Sequence, residues 1–134
     1  MTARGLRNNN PGNIRLGEAW NGLVDNPAEK SFCTFVCATY GIRALCKVLL
    51  TYQKRYDLDT IGKIIDRYAP VDENDTNAYA KHVADVLNVP VDAPVDLTDA
   101  KLMEGVVRAI IQHENGSCPY TFEITDGMLL AGIK

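Results

Sequence analysis

The sequence of 134 residues has no long apolar run, and this absence limits where the protein can act. The longest uninterrupted apolar stretches, such as residues 48–50, are far shorter than the roughly 20 residues that a membrane-spanning helix needs. The first five residues lead directly into polar turn residues, without the apolar segment of a secretory signal. The sequence therefore predicts synthesis in the cytoplasm without a signal peptide, and no insertion into a membrane.

Positive charge, histidine and cysteine are also scarce. Fourteen Lys and Arg stand against 17 Asp and Glu, for a net charge of -3, and no polybasic helix is present. This balance disfavours binding to nucleic-acid phosphates or to a lipid surface. The two histidines and four cysteines lack the spacing of metal ligands, so the sequence predicts no metal, no cofactor and reduced thiols that lie mostly in the core.

Apolar periodicity predicts a mostly helical fold. The length and the 46% hydrophobic content fit a single domain, residues 1–134, with one core. Residues 31–38 alternate loosely and suit a short hairpin arm. We therefore expect a mostly α domain of about five helices with at most a small β-hairpin. The helices are predicted over residues 39–55, 59–69, 75–88, 98–115 and 121–131.

Glu114 is the carboxylate best suited to catalysis. It lies in line with Val106 and Ile110 and so borders the apolar face of the fourth predicted helix. It also lies in the last helical turn, where unpaired carbonyls disfavour an ionised carboxylate. Both effects favour a protonated carboxyl, which a general acid for glycoside cleavage needs. The alternative interpretation is a solvated carboxylate at a helix end.

The segment of residues 7–15 contains four asparagines and two arginines. Asparagine side chains both donate and accept hydrogen bonds, which suits the amide and hydroxyl groups of an acetylated sugar. Asn-Pro and Pro-Gly are equally ordinary turn formers. Both interpretations stay open for Asn8, Asn10 and Asn13.

Three further side chains are candidates for the same site. Glu18 and Trp20 follow the Asn-rich segment, and an indole beside a carboxylate can line a sugar subsite, although Trp20 also suits a core position. Tyr79 lies on the apolar face of the third predicted helix, and its hydroxyl needs a partner if it is buried. The acidic residues before that helix, Glu73 among them, are explained by capping and by the helix dipole alone.

Several segments of the sequence carry a family resemblance. They are RGLRNNNPGNIR, Phe35 with residues 40–44, residues 68–70, residues 73–76 with Tyr79, and residues 113–116 with Pro119 and Tyr120. Together they resemble small phage proteins labelled structural proteins, which are related to phage muralytic enzymes with a lysozyme-like, lytic-transglycosylase fold. The resemblance spans nearly the whole chain.

Two details are also similar to lytic transglycosylases and goose-type lysozymes. In that superfamily a catalytic Glu ends a helix and a Pro follows five residues later, as Glu114 and Pro119 do here. A Thr-x-x-Tyr-x-x-x-Val helix supplies a cleft tyrosine there, and Thr76, Tyr79 and Val83 match that spacing. The catalytic helix comes first in those enzymes, whereas Glu114 comes last, so the resemblance implies a circularly permuted arrangement.

The resemblance implies cleavage of the peptidoglycan glycan strand by a muramidase or lytic transglycosylase. Glu114 would be the single general acid and base, with Glu73 and Glu18 as alternatives. The substrate-binding side chains would be those of Asn8, Asn10, Asn13, Tyr79 and Tyr120. Without a signal peptide, the protein would reach the cell wall after lysis, in a virion or through dedicated export.

A non-catalytic phage virion protein or cell-wall-binding protein with the same fold is the alternative. Peptidoglycan is the expected partner in both cases. A virion component, a delivery machine, or an inhibitor or immunity protein are further possible partners. A groove that contains Glu114 opposite residues of the Asn-rich segment would favour the enzyme, whereas a solvated or salt-bridged Glu114 would favour the alternative.

Overall fold

The computed structural model describes residues 2–71 and 75–134. Within these residues there is no strand, and three isolated antiparallel bridges join Arg15 to Phe32, Leu23 to Phe35 and Thr60 to Pro94. The mostly helical class is therefore confirmed, and the hairpin suggested for residues 31–38 is reduced to single bridges. The described helices are α1 (Arg4–Arg7), α2 (Ala38–Tyr56), α3 (Ile61–Tyr68), α4 (Thr76–Leu87), α5 (Ala100–Asn115) and α6 (Phe122–Leu130).

Capping residues explain where three of the helices begin. The side chain of Thr60 accepts a hydrogen bond from the backbone at the start of α3, and Asp75 does the same for α4. Asp99 accepts two such bonds, from the backbone N–H groups of Lys101 and Leu102 at the start of α5. These bonds satisfy N–H groups that have no partner inside the helix.

Left-handed residues end three of the helices. The C-caps of α2 and α4 are Asp57 and Asn88, at φ 55° and 56°. Gly116 ends α5 at φ 78°, as the Asn-Gly stop signal predicts. Because Glu114 lies two residues before this cap, its position on the last turn of α5 is fixed.

The short helix α1 was not predicted, since the sequence around it contains turn residues. Its four residues are too few to show a helical period, and its N-cap Ala3 makes no side-chain hydrogen bond. The buried Gly5 lets the helix approach α5 closely, because a Cβ there would come within 2.4 Å of the side-chain oxygen of Asn115. Contact with α5 therefore accounts for a helix that local propensity does not favour.

The main core lies between α2, α3, α4, α5 and α6. Burying each large aliphatic side chain contributes roughly 1.5–3 kcal/mol, so this core is the main source of stability. Fully buried members include Ile42, Leu45, Leu49, Ile61, Ile64, Ile65, Val83, Val106 and Ile110.

A second, smaller apolar cluster holds the non-helical segment onto α2. Its buried members are Cys33, Phe35 and Ala44, and Trp20 and Tyr40 are among the half-buried residues that pack against it. The four cysteines are free thiols; Cys33 and Cys46 are buried and Cys37 is exposed. No helix in the described part of the chain is both long and apolar enough to cross a membrane.

Candidate functional site

Glu114 is held from two sides at the end of α5. The Asn13 Nδ2 donates a hydrogen bond of 2.9 Å to Oε1, and the Tyr79 hydroxyl donates one of 2.8 Å to Oε2. Asn13 comes from the Asn-rich segment and Tyr79 from α4, so three separate parts of the chain meet at this carboxyl. Two donors on different oxygens fix the orientation of the carboxyl plane. The protonation state expected for Glu114 stays a prediction.

Tyr79 contacts Glu114 from inside the fold. Its side chain is fully buried, as the helical spacing predicts, and its hydroxyl is directed at Glu114. Burial, followed by the proximity of Tyr68 and Glu114, raises the pKa of Tyr79 well above its ordinary value. The hydroxyl therefore stays protonated and keeps donating. The ring is fully buried and the hydroxyl contacts Glu114, and a role of Tyr79 in binding substrate stays a prediction.

Two further hydrogen bonds attach the Asn-rich segment to the helices. The Tyr68 hydroxyl, at the end of α3, donates to the carbonyl oxygen of Gly12. The Asn115 Nδ2 donates to the carbonyl oxygen of Pro11 at 2.8 Å. Burial, followed by the nearby charge of Glu114, raises the pKa of Tyr68 well above its ordinary value, so this hydroxyl also remains a donor.

Glu114 lines a cleft of about 510 Å³ between the Asn-rich segment, α2 and the ends of α3 and α5. Among the described residues, Glu18 and Glu114 are the carboxylates that line it. Trp20 is half-buried and provides part of the aromatic wall. The Arg4 guanidinium carbon lies 3.7 Å from the Phe32 ring centroid, which places positive charge at the same cleft. The other lining residues include Gly12, Asn13, Arg15, Tyr52 and Tyr68.

The three candidate asparagines have different positions. Asn13 lines the cleft and contacts Glu114. Asn10 is fully buried, and its Nδ2 donates to the carbonyl oxygens of Ile14 and Cys33 at 2.9 and 3.0 Å. Its Oδ1 accepts from the backbone N–H of Ile14, so its amide is used in holding the segment rather than presented to a ligand.

Three buried side-chain polar atoms near this site have no hydrogen-bond partner within residues 2–71 and 75–134: Asn8 Nδ2, Asn13 Oδ1 and Asn115 Oδ1. An unsatisfied buried polar atom costs roughly 1–3 kcal/mol, and native proteins contain only a few of them. All three belong to the Asn-rich segment or to the residue after Glu114. Asn8 itself is half-buried, and its amide nitrogen lies inside the fold.

The remaining predicted residues are less directly connected to Glu114. Tyr120 is half-buried; burial raises the pKa of its hydroxyl, and its backbone carbonyl accepts a hydrogen bond from Arg108. Glu18 is exposed on the cleft wall. Glu73 lies outside the described residues. The sequence did not indicate that Tyr68 and Asn115 hold the Asn-rich segment in place. Helical spacing identifies the buried face of a helix, but it does not identify the distant residues that this face contacts.

The two histidines meet beside Tyr79. The His113 ring stacks on the Tyr79 ring with a centroid separation of 3.7 Å, and His113 Nδ1 lies 3.3 Å from His82 Nδ1. Burial and the charge of His82 lower the pKa of His113, whereas the charge of Glu114 opposes this shift. Among the described residues, no three His, Cys, Asp or Glu side chains form a group that could hold a metal.

Comparison with known proteins identifies a phage relative of the chain. No family model matches the sequence. Protein P5 of Pseudoalteromonas phage PM2 is 39% identical to the chain over 125 residues, covering 90% of the chain and 76% of the phage protein. Identity at this level over most of both proteins indicates common descent and a shared fold. The chain therefore belongs to the phage protein family that includes Protein P5 of Pseudoalteromonas phage PM2.

Proposed function

We propose that the cleft cleaves the glycan strand of peptidoglycan, with Glu114 as the general acid and base. The observation that carries the proposal is the position of Glu114: it lines a cleft while two buried or half-buried donors, Tyr79 and Asn13, fix its two oxygens. Catalytic groups need this kind of support, because a small displacement from the reactive geometry is costly in rate.

In the proposed reaction, protonated Glu114 donates its proton to the glycosidic oxygen as the bond to the sugar carbon breaks. The resulting carboxylate then removes a proton from the nucleophile that attacks the sugar carbon. In a hydrolase this nucleophile is water, and in a transglycosylase it is a hydroxyl group of the same sugar. Either way the proton returns to Glu114, and the carboxyl is ready for another cycle.

The cleft wall supplies groups suited to a peptide-substituted glycan. The Trp20 ring offers an apolar face, against which the C–H face of a sugar can pack. Arg4 and Arg15 place positive charge in the cleft of a protein whose net charge is -3. Because Glu18 and Glu114 line the same cleft, its described charges balance, and the two arginines supply hydrogen-bond donors for carboxylate groups of the strand.

We further propose that the fold is a permuted form of the lysozyme-like fold. The support is a contact between two separate motifs: Tyr79 of the Thr-x-x-Tyr-x-x-x-Val helix donates its hydrogen bond to Glu114, which is followed by Pro119. The phage family of the chain also suits a protein that meets a bacterial cell wall.

Product analysis tests the proposed function. The purified protein is incubated with peptidoglycan, and the released products are identified by mass spectrometry. Anhydro-sugar ends would identify a transglycosylase and reducing ends a hydrolase. Glu114→Gln should release neither, because an amide cannot supply the proton. Glu104→Gln, which changes a half-buried carboxylate on the same helix outside the cleft lining, is the matched control and should retain activity.

A non-catalytic phage virion or cell-wall-binding protein is the second candidate function. The observation that favours it is that both Glu114 oxygens are already engaged by donors of the chain, which join the Asn-rich segment to α4 and α5. A folded wild-type protein that binds peptidoglycan or a virion component and releases no products would support this alternative. Release of products that persists in Glu114→Gln would transfer the acid role to another carboxylate, with Glu18→Gln as the next test.

A further inference from the structure

The two histidines of the chain lie together on neighbouring helices, although 31 positions separate them in the sequence. His82 comes from α4 and His113 from α5, and these helices pack directly against each other. Their Nδ1 atoms are 3.3 Å apart, and their ring planes are tilted by 35°. The nitrogens therefore face each other, and the rings are not stacked.

In the structure this contact is a hydrogen bond between the two rings, and its length also matches the separation of two ligands of one metal ion. Imidazole nitrogens bind Zn²⁺ at about 2.0–2.1 Å, so two of them in a tetrahedral arrangement lie about 3.3–3.4 Å apart. Imidazole is a favoured ligand for Zn²⁺, Ni²⁺ and Cu²⁺, whereas Mg²⁺ and Ca²⁺ prefer oxygen.

We propose that His82 and His113 bind one divalent transition-metal ion through their Nδ1 atoms. Water completes the coordination, because the described residues supply no third His, Cys, Asp or Glu ligand. The site is distinct from the cleft, since neither histidine is among the cleft-lining residues, and it does not depend on the proposed glycan cleavage.

The surroundings prepare both rings for metal binding. Stacking on Tyr79 at 3.7 Å limits the rotation of His113, so less conformational freedom is lost on binding. The bound ion would fasten α4 to α5 next to the contact between Tyr79 and Glu114.

Calorimetric titration of the chelator-treated full chain with Zn²⁺ and Ni²⁺ at pH 7.5 tests the proposal. We expect one ion per chain, a rise of several degrees in the melting temperature and no effect of Mg²⁺. His82→Gln and His113→Gln should each weaken binding at least about tenfold, because each removes one of two ligands. Cys37→Ser, which removes an exposed thiol, should bind as the wild type does.

Two readouts make the test independent of whether the histidine variants fold. Circular dichroism checks their helix content, and the imidazole NMR signals of the wild type report directly on the two rings. Zn²⁺ should shift the signals of both histidines together. Unchanged imidazole signals, binding that is lost only in Cys37→Ser, or no binding below about 1 mM metal would each overturn the proposal.

Discussion

At the scale of single residues, Gly41 of α2 lies close to the backbone of the Asn-rich segment. A Cβ at this position would lie 2.0 Å from the carbonyl oxygen of Asn9. Gly41→Ala therefore forces the Asn-rich segment away from α2, and we expect a loss of about 1–3 kcal/mol in the free energy of unfolding. Urea denaturation measures this loss.

The matched control for Gly41→Ala is Gly62→Ala in α3. The nearest atom to a Cβ at Gly62 is the Val91 carbonyl oxygen at 3.4 Å, an ordinary contact. Because alanine favours helices more than glycine does, this variant should be neutral or more stable by up to about 1 kcal/mol. Equal losses in the two variants would show that the Asn9 contact is not what excludes a side chain at position 41.

The Tyr79 hydroxyl can be removed with little change in shape. Tyr79→Phe keeps the buried ring but leaves Glu114 without one of its two donors. Removing one partner of a buried hydrogen bond costs about 1–3 kcal/mol, so a loss of this size is expected in urea denaturation. Tyr56→Phe, at an exposed tyrosine, should change stability by less than about 0.5 kcal/mol. Equal stability of Tyr79→Phe and wild type would contradict the assigned bond.

Single-residue positions could be predicted from the sequence only in part. Helical spacing correctly indicates the buried face that contains Tyr79 and the helix end that contains Glu114. The same reasoning could not decide between Asn10, which is buried in its own segment, and Asn13, which contacts Glu114. That contact joins residues 101 positions apart, and local patterns contain no information about such a pair.

At the scale of elements, capping at the start of α5 stabilises the helix that carries Glu114 in its last turn. Asp99 accepts hydrogen bonds from Lys101 and Leu102 at 3.0 and 3.1 Å, so Asp99→Ala should cost about 1 kcal/mol in unfolding free energy. The control is Thr121→Ala, because the Thr121 side chain makes no capping bond at the start of α6. Thermal unfolding of both variants measures the difference, and a cost for Thr121→Ala as large as that for Asp99→Ala would contradict the capping assignment.

The contact between α4 and α5 makes stability depend on pH through His113. Its folded-state pKa is lowered from 6.5, so below that pH the unfolded chain binds more protons than the folded one. Stability is therefore fully present above about pH 6.5 and falls as the pH drops through the folded-state pKa. Melting temperatures between pH 7.5 and 5.5 should decline less in His113→Gln than in the wild type. An equal decline of the melting temperature in His113→Gln and in the wild type would show that His113 is not the source of the pH dependence.

The helices could be predicted from the sequence where their apolar pattern extends over several turns. The five longer helices follow from apolar periodicity, and their ends lie close to the predicted positions. Helix α1 is too short for a period and depends on packing against α5, so local reasoning assigned its residues to turns. The segment of residues 31–38 alternates like a strand but is held by single bridges and by a small apolar cluster.

At the scale of the whole molecule, the site exists because the beginning of the described chain meets the end of α5. Bonds from Asn13 to Glu114 and from Asn115 to Pro11 join these two regions, and Tyr68 adds α3. None of the three regions forms a cleft by itself. The sequence offers two candidate motifs: the Asn-rich segment and the last turn of α5, which contains Glu114. Both are therefore parts of one candidate site.

The initial rate at which peptidoglycan is solubilised by wild type and by Glu114→Gln tests the central claim most directly. The variant should keep the fold, because Gln retains an oxygen for Asn13 and its amide can donate to the Tyr79 hydroxyl oxygen. A general acid contributes about 10²–10⁴ in rate, so we predict a loss of that size at an unchanged melting temperature. A variant that retains more than about a tenth of the wild-type rate would contradict the account, as would a folded wild type with no activity.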